Sequence, residues 1–463
     1  MLLATVLGSG VVFLDGTVVN VALPAIGRDL HTSVTGLQWT IDSYLLTLSA
    51  LLLLGGSAGD RYGRRSMFVL GLVAFSVASA ACGLAPRVGV LIAARAAQGV
   101  GGALLVPGSL AIIASGFAVE DRGRAIGAWS GLAGVASALG PFLGGWLIDA
   151  VSWRLIFFLN LPLAAVAVAV AHRHVPESRA PGHEPLDISG AVAVSLALAA
   201  LSYAAIEHRG TGARLALVLG LVVASLFVVV ERRSAHPMLP LAIFRSAQFT
   251  GANLTTLAVY GALGAAMFLL VLRLEVSLRY SALAAGASLV PFTVLMLLLS
   301  PTSGKVAQRI GARIPMTVGP LATAGGMLLL SGVGPRSRYL SGVFPGVVVF
   351  GLGMVITVAP LTAAVLAGVE EARVGVASGI NNAAARLAGL LAVAVLPGVV
   401  GIDPGRSLRS GLATGYPSAL RIAAGLCAAG GVAGWLFVRR TVPVRPVAHP
   451  SPFGACHDPV VRA

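Results

Sequence analysis

The chain has 463 residues, 57% of them hydrophobic and 11% charged, with a mean hydropathy of +0.91, which excludes a soluble globular domain of this length and describes a polytopic membrane protein. Its formal net charge of +15 is carried almost wholly by arginines spread over short loops, Lys305 being the only lysine, so it reads as a topology signal and not as a nucleic-acid footprint. Cys82 and Cys427 fall in apolar runs, Cys456 in the tail, and the histidines at the edges of the runs or beyond them, a distribution that suggests neither a disulfide framework nor a metal site. His172, His174 and His183 cluster in what reads as one solvated loop.

In chain order, apolar runs near 2–26, 37–57, 66–85, 89–116, 125–150 and 154–172 each supply the roughly 20 residues a membrane helix needs. They make a first six-helix bundle over residues 1–172. Met1 begins almost inside the first run, without a basic leader, which argues against a cleaved signal peptide. Residues 173–249 read as linkers carrying two extra transmembrane helices near 187–206 and 213–231. Runs near 250–272, 282–301, 314–334, 339–366, 374–401 and 413–438 form a second six-helix bundle over 250–438, and 439–463 reads as a disordered tail. The expected fold is all-α with 14 transmembrane helices. An even count puts both termini on one side, and the loops of that side carry 18 Lys/Arg against 11 opposite, so both ends are expected in the cytoplasm.

After the second run stands Gly56-Ser-Ala-Gly-Asp-Arg-Tyr-Gly-Arg-Arg65, too charged for hydrocarbon and therefore a tight cytoplasmic turn. Gly56 would let two helix backbones approach, Gly63 would permit the reversal, and Asp60 would lie against the positive N-terminal end of a neighbouring helix. With Arg61, Arg64 and Arg65 this makes a breakable electrostatic latch. The same spacing recurs in Gly304-Lys-Val-Ala-Gln-Arg-Ile-Gly-Ala-Arg313, with Gln308 in place of the aspartate. Such an internal repeat is how many secondary transporters build alternating access.

The first knot resembles the loop signature of the major facilitator superfamily. Further stretches resemble its fourteen-span drug:proton antiporter family: Leu14-Asp-Gly-Thr-Val-Val-Asn-Val-Ala-Leu-Pro24, Leu91-Ile-Ala-Ala-Arg-Ala-Ala-Gln-Gly-Val-Gly-Gly-Ala103, the fifth-span glycines Gly131 and Gly134 with Gly140-Pro141 and Gly144-Gly145, Trp153-Arg-Leu-Ile-Phe-Phe-Leu-Asn-Leu-Pro162, and Gly375-Val-Ala-Ser-Gly-Ile-Asn-Asn-Ala-Ala-Ala-Arg386. The likeness runs from about residue 11 to 438; the abrupt N-terminus and the second knot's lost carboxylate depart from it. The resemblance implies proton-coupled export of small amphipathic compounds such as drugs or antibiotics, from the plasma membrane, by a monomer that uses the proton gradient and no cofactor. It assigns proton handling to Asp15 and Arg95, with Asp42 secondary, and links the fifth-span motif to export.

The residues support part of this independently. Asp15, Arg95 and Arg386 lie inside apolar runs, where an ionisable side chain is costly unless it faces a partner or a watery cavity. By helix rise Asp15 is midway through its span and Arg95 about 9 Å below the outer face, so the two can meet, either as a proton-handling pair or as a fixed structural ion pair. Asp42, about 8 Å deep, is expected to be solvated at a cavity mouth. Arg386 serves either to bond the Asn381–Asn382 region or to touch substrate. Asn20, Tyr44, Gln98, Trp129, Tyr260, Asn381 and Asn382 are candidate cavity residues, with Phe268 and Phe292 beside them. By the family resemblance, Gly140-Pro141 conflicts with an importer or sensor of the same fold. A membrane enzyme lacks any buried Ser/His, His/Asp or paired-carboxylate set, so no catalytic residue is assigned.

Overall fold

The computed structural model describes all residues except 118, 180–186, 208–209, 235–236, 238, 370–373, 403–407 and 440–463; the packing of Gly131, Gly134 and Gln308, inside helices, also lies outside the described residues. Every regular element among the described residues is helical. The first half comprises α1 (Leu2–Asp29), α2 (Val34–Tyr62), α3 (Arg64–Gly83), α4 (Val88–Gly116), α5 (Val119–Ala150), α6 (Leu155–Phe158) and α7 (Asn160–His174). A hairpin of α8 (Ile188–Glu207) and α9 (Thr211–Arg233) follows. The second half comprises α10 (Ala247–Leu272), α11 (Ala282–Ser288), α12 (Val290–Ile310), α13 (Arg313–Ser331), α14 (Phe344–Ala367), α15 (Val374–Val399) and α16 (Leu408–Phe437).

Among the described residues, 13 helical segments are long and apolar enough to cross a membrane. The 32-residue α5 takes the fifth place in the order, so the long helices follow the apolar runs read from the sequence. The sixth run is broken between α6 and α7, and the tenth between α11 and α12. Proline explains both breaks: Pro162 and Pro291 lack the N–H that would bond four residues back, so the turn before each relaxes. His172 and His174 belong to the last turn of α7, not to a loop, and His183 lies outside the described residues.

Lipid offers little hydrophobic drive for helix association, so close packing of small residues does much of that work. In the first half α1 packs along α5 and α7 while α4 lies against α2 and α3; in the second, α10 packs on α15 and α16, and α13 on α14 and α16. The close approach of α2 and α4 is made at Gly55, where a Cβ would run into the Ala103 carbonyl. Gly56, the residue expected there, would place its Cβ in ordinary contact 3.5 Å from Pro107. The hairpin sits to one side: α8 touches both α2 and α15, with Trp39 against Tyr203 at 6.5 Å, while α9 leaves Leu215, Val218, Leu221 and Val222 exposed.

The knot after α2 is mostly helix. Only Gly63, at φ +117°, separates α2 from α3, a backbone conformation that favours glycine. At the opposite end of the bundle the two halves are pinned together. A Cβ on Gly145 of α5 would lie 2.5 Å from the Ala282 carbonyl. Asp149, near the end of α5, accepts hydrogen bonds from the Ala282 and Leu283 amides at 3.2 and 2.8 Å, the first N–H groups of α11.

Candidate functional site

Asp15 and Arg95 meet in the first half. Asp15 sits on the face of α1 turned toward α4 and is 0% exposed; Arg95, on α4, is 1% exposed. The Arg95 Nη1 lies 2.5 Å from Asp15 Oδ2, and further groups complete the cluster. Gln98, one turn along α4, accepts from Arg95 Nη1 at 2.7 Å and donates to Asp15 Oδ1 at 2.9 Å. Asn160, the first residue of α7, donates to the same Oδ1 at 3.0 Å and to Ser79 Oγ at 3.0 Å. Arg95 Nε donates to the Thr40 carbonyl at 3.1 Å, and the guanidinium stacks 4.1 Å from the Tyr44 ring. A charge buried this deeply is tolerable only when paired and hydrogen-bonded, and here α1, α2, α4 and α7 each supply a partner.

Asp42 is the opposite case. Far from being solvated at a cavity mouth, it is 0% exposed, and neither carboxyl oxygen has a hydrogen-bond partner among the described residues. Its neighbours one turn away on the same face of α2 locate it. Gln38 donates to the Val393 and Ala394 carbonyls of α15 at 2.8 and 3.3 Å, and Leu46 packs with Leu198 of α8 and Leu390 of α15. The carboxyl therefore lies where the first half, the second half and the extra hairpin meet. That packing accommodates a neutral carboxylic acid; a carboxylate would need water or a cation.

Several residues expected to line a cavity are used elsewhere. Tyr44 and Gln98 belong to the Arg95 cluster, Trp129 is buried and donates to Ser9 Oγ at 3.1 Å, and Phe268 is in the core. Phe292 packs 5.3 Å from Phe350. Asn381 ties α15 to α10 through Asn253 Oδ1 at 3.2 Å and Thr256 Oγ1 at 2.6 Å. Asn20, Tyr260, Asn382 and Arg386 remain half-buried, and Arg386 reaches across to Phe13 of the first half. Among the described residues no hydrogen bond joins Arg386 to Asn381 or Asn382. Gly140 and Gly144 seat α5 against Thr17 and Val18 of α1, and Pro141 lies within α5.

At the Gly63 turn, Asp60 pairs at 2.8 Å with the side chain of Arg64, the first residue of α3, and among the described residues accepts from no backbone N–H of that helix. Arg61 rests over Tyr62. The carboxylate that engages a helix end is Glu177, which the sequence reading missed. It accepts from the Arg65 amide at 3.0 Å, from the Ser66 amide at 3.1 Å and from the Ser66 hydroxyl, the first turn of α3. Partial burial raises its pKa, but these hydrogen bonds outweigh that and hold the carboxyl below the usual glutamate value. Asn160 and Ser79 were also missed. Asn160 had a signal, an amide two residues before Pro162 in an apolar run, whereas Ser79 and Glu177 had none.

A family model described as Major Facilitator Superfamily matches residues 5–393. The chain is 35% identical over 405 residues to the multidrug resistance protein Stp of Mycobacterium tuberculosis, covering 86% of this chain and 75% of that one. It is 34% identical over 408 residues to the tetracenomycin C resistance and export protein of Streptomyces glaucescens, covering 85% and 74%. Among solved structures it resembles a D-xylose-proton symporter, with a TM-score of 0.71, 16% identity, and 95% and 97% of the two chains covered.

Proposed function

The chain belongs to the Major Facilitator Superfamily, and on that premise we propose that it is a secondary active transporter that exports small amphipathic compounds in exchange for protons, by alternating access between its two halves. Relatives named for resistance and export support that direction, as does the Gly140-Pro141 motif. In this reading the protein is a multi-pass, monomeric plasma-membrane transporter and not an enzyme. Residues 1–172 and 250–438 are the moving bundles, joined by 173–249, and both termini and the Gly63 turn face the cytoplasm.

The buried Asp15–Arg95 pair carries the coupling proposal. Its two charges come from α1 and α4, and separating them in a low-dielectric interior leaves each expensive to keep. A movement of α1 that lengthens the 2.5 Å contact therefore has to be accompanied by water entry or by a proton on Asp15. Restoring the contact expels that proton, because Arg95 then neutralises the carboxylate in its place. Gln98 and Asn160 keep Asp15 aimed at Arg95 until the helices shift. Asp42 is a second proton carrier in the same scheme: held neutral in the closed junction, it releases its proton once that junction is wetted.

The test is substrate-driven proton movement in proteoliposomes, with a substrate first identified by a drug-sensitivity panel, comparing wild type with Asp15→Asn, Arg95→Ala and Asp42→Asn. Retained substrate exchange without proton movement in the Asp15 and Arg95 variants is expected. Normal gradient-driven efflux in both would overturn the assignment.

A further inference from the structure

Arg95 and Arg386 both stand inside long apolar helices, the first fully buried and the second half-buried, and their surroundings differ. Arg95 has a carboxylate, an amide and a backbone carbonyl on its guanidinium. Arg386 has none: no hydrogen bond or ion pair is made to it among the described residues, and its Nε is sealed from solvent without an acceptor. It projects from α15 toward the first half, where its guanidinium carbon lies 5.9 Å from the centre of the Phe13 ring. An unpaired cation half-buried inside a membrane-spanning helix is costly and marks a function by default.

Among the described residues no carboxylate pairs with Arg386. On α1, Phe13, Gly16 and Asn20 share one face, and Gly16 is exposed, with open space where a Cβ would stand. Asn20 donates to the Gly16 carbonyl at 3.1 Å, and Asn382 donates to the Ser378 carbonyl at 3.3 Å. The hydroxyl of half-buried Tyr260, on α10, makes no hydrogen bond among the described residues. Asp15 and Asp42, the nearby carboxyls, are both fully buried away from this surface. The surroundings of Arg386 thus combine an unpaired cation, a phenol close enough to act on it electrostatically and an aromatic face.

We propose that Arg386 is the anion-recognising residue of this site, and that the compounds carried are amphipathic weak acids, with a carboxylate or phenolate on an aromatic or otherwise apolar body. The inference rests on the site lying on the transport route. The guanidinium fork matches a carboxylate in two-point geometry, Phe13 offers a face for the apolar body, and Tyr260 supplies a further donor. Discrimination against organic cations follows from the same unpaired charge.

Equilibrium binding tests this without any gradient, so it is separable from failure of the coupling scheme. The protein in zwitterionic nanodiscs is titrated at pH 8 with 1-pyrenebutyrate and with 1-pyrenemethylammonium, two probes of the same ring and opposite charge, read by fluorescence anisotropy. Wild type is expected to prefer the carboxylate. Arg386→Gln should weaken carboxylate binding about ten- to hundredfold, the scale of losing hydrogen bonds to a charged group, and leave the ammonium probe unaffected or bound more tightly. Arg386→Lys should recover part of the loss. Unchanged carboxylate binding in Arg386→Gln overturns the proposal. So does an equal or stronger wild-type preference for the ammonium probe, which needs no variant. Displacement of the carboxylate probe by phosphatidylglycerol added to the nanodiscs would assign the site to a lipid headgroup and equally overturn the cargo reading.

Discussion

Asp149→Ala should open the end of the bundle opposite the Gly63 turn. Asp149 belongs to the first half, yet its two carboxylate oxygens cap the first amides of α11 in the second, at 3.2 and 2.8 Å. The alanine removes both acceptors and returns the α11 amides to water, a loss that for a capping residue is typically about 1 kcal/mol and reaches about 2 kcal/mol. Because the bond bridges two halves that separate as units, that energy biases the opening equilibrium directly, by a factor of about 5 to 30 toward the open form. Spin labels at Val151 and Leu340, both exposed and on opposite halves at this end, report the separation by double electron–electron resonance. The expected result is a longer-distance population that grows by about that factor. An unchanged distance distribution in a variant with wild-type expression and stability would refute the reasoning and leave the clamp to close packing such as that of Gly145 on the Ala282 carbonyl.

At the Gly63 turn, Glu177→Gln should cost about 1 kcal/mol of stability, read as a fall in melting temperature. Asp60→Asn should cost less than about 0.5 kcal/mol, because its pair with Arg64 is partly open to solvent; the reverse order would restore the Asp60 latch. The folded state lowers the Glu177 pKa, so its contribution is fully present above the ordinary glutamate range and is lost as the pH falls through the lowered value. The gap in melting temperature between wild type and Glu177→Gln should therefore hold at neutral pH and close only below about pH 4. For topology, a single cysteine at Ser178 should resist membrane-impermeant thiol reagents applied to intact cells while one at Gly210 reacts; labelling in the opposite sense would reject the orientation drawn from arginine asymmetry.

What the sequence made legible was set by strong local constraints. Apolar runs long enough to span a bilayer have few alternatives to helix, so the order of long helices was readable. The depth argument for Asp15 and Arg95 needed only helix rise and the cost of buried charge, and the two side chains do meet. Asp42 shows where one-dimensional depth fails: its position along α2 suggested water, but α8 and α15 close over it, and nothing local announces a neighbour some 150 or 350 residues away. Asp60 and Glu177 show a second limit. A charged knot signals that a carboxylate will find a helix end, but which carboxylate does so depends on the path of the strand after α7, which returns to place Ser178 beside Arg64 at 2.9 Å. Arg386 was visible as an arginine in an apolar run, while its lack of partners is a fact of packing alone.

The extra hairpin makes the two flanks of the molecule unequal. On one flank α8 lies against both α2 and α15, sealing with protein the seam through which lipid would otherwise touch both halves. On the other flank α5 meets α11 and α12 without such a cover, and Leu139, Phe142 and Trp146 of α5 and Leu297 and Leu298 of α12 face outward. Among the described residues, lipid therefore borders both halves at once along the α5–α12 side, at a seam that the Gly145 and Asp149 contacts hold closed.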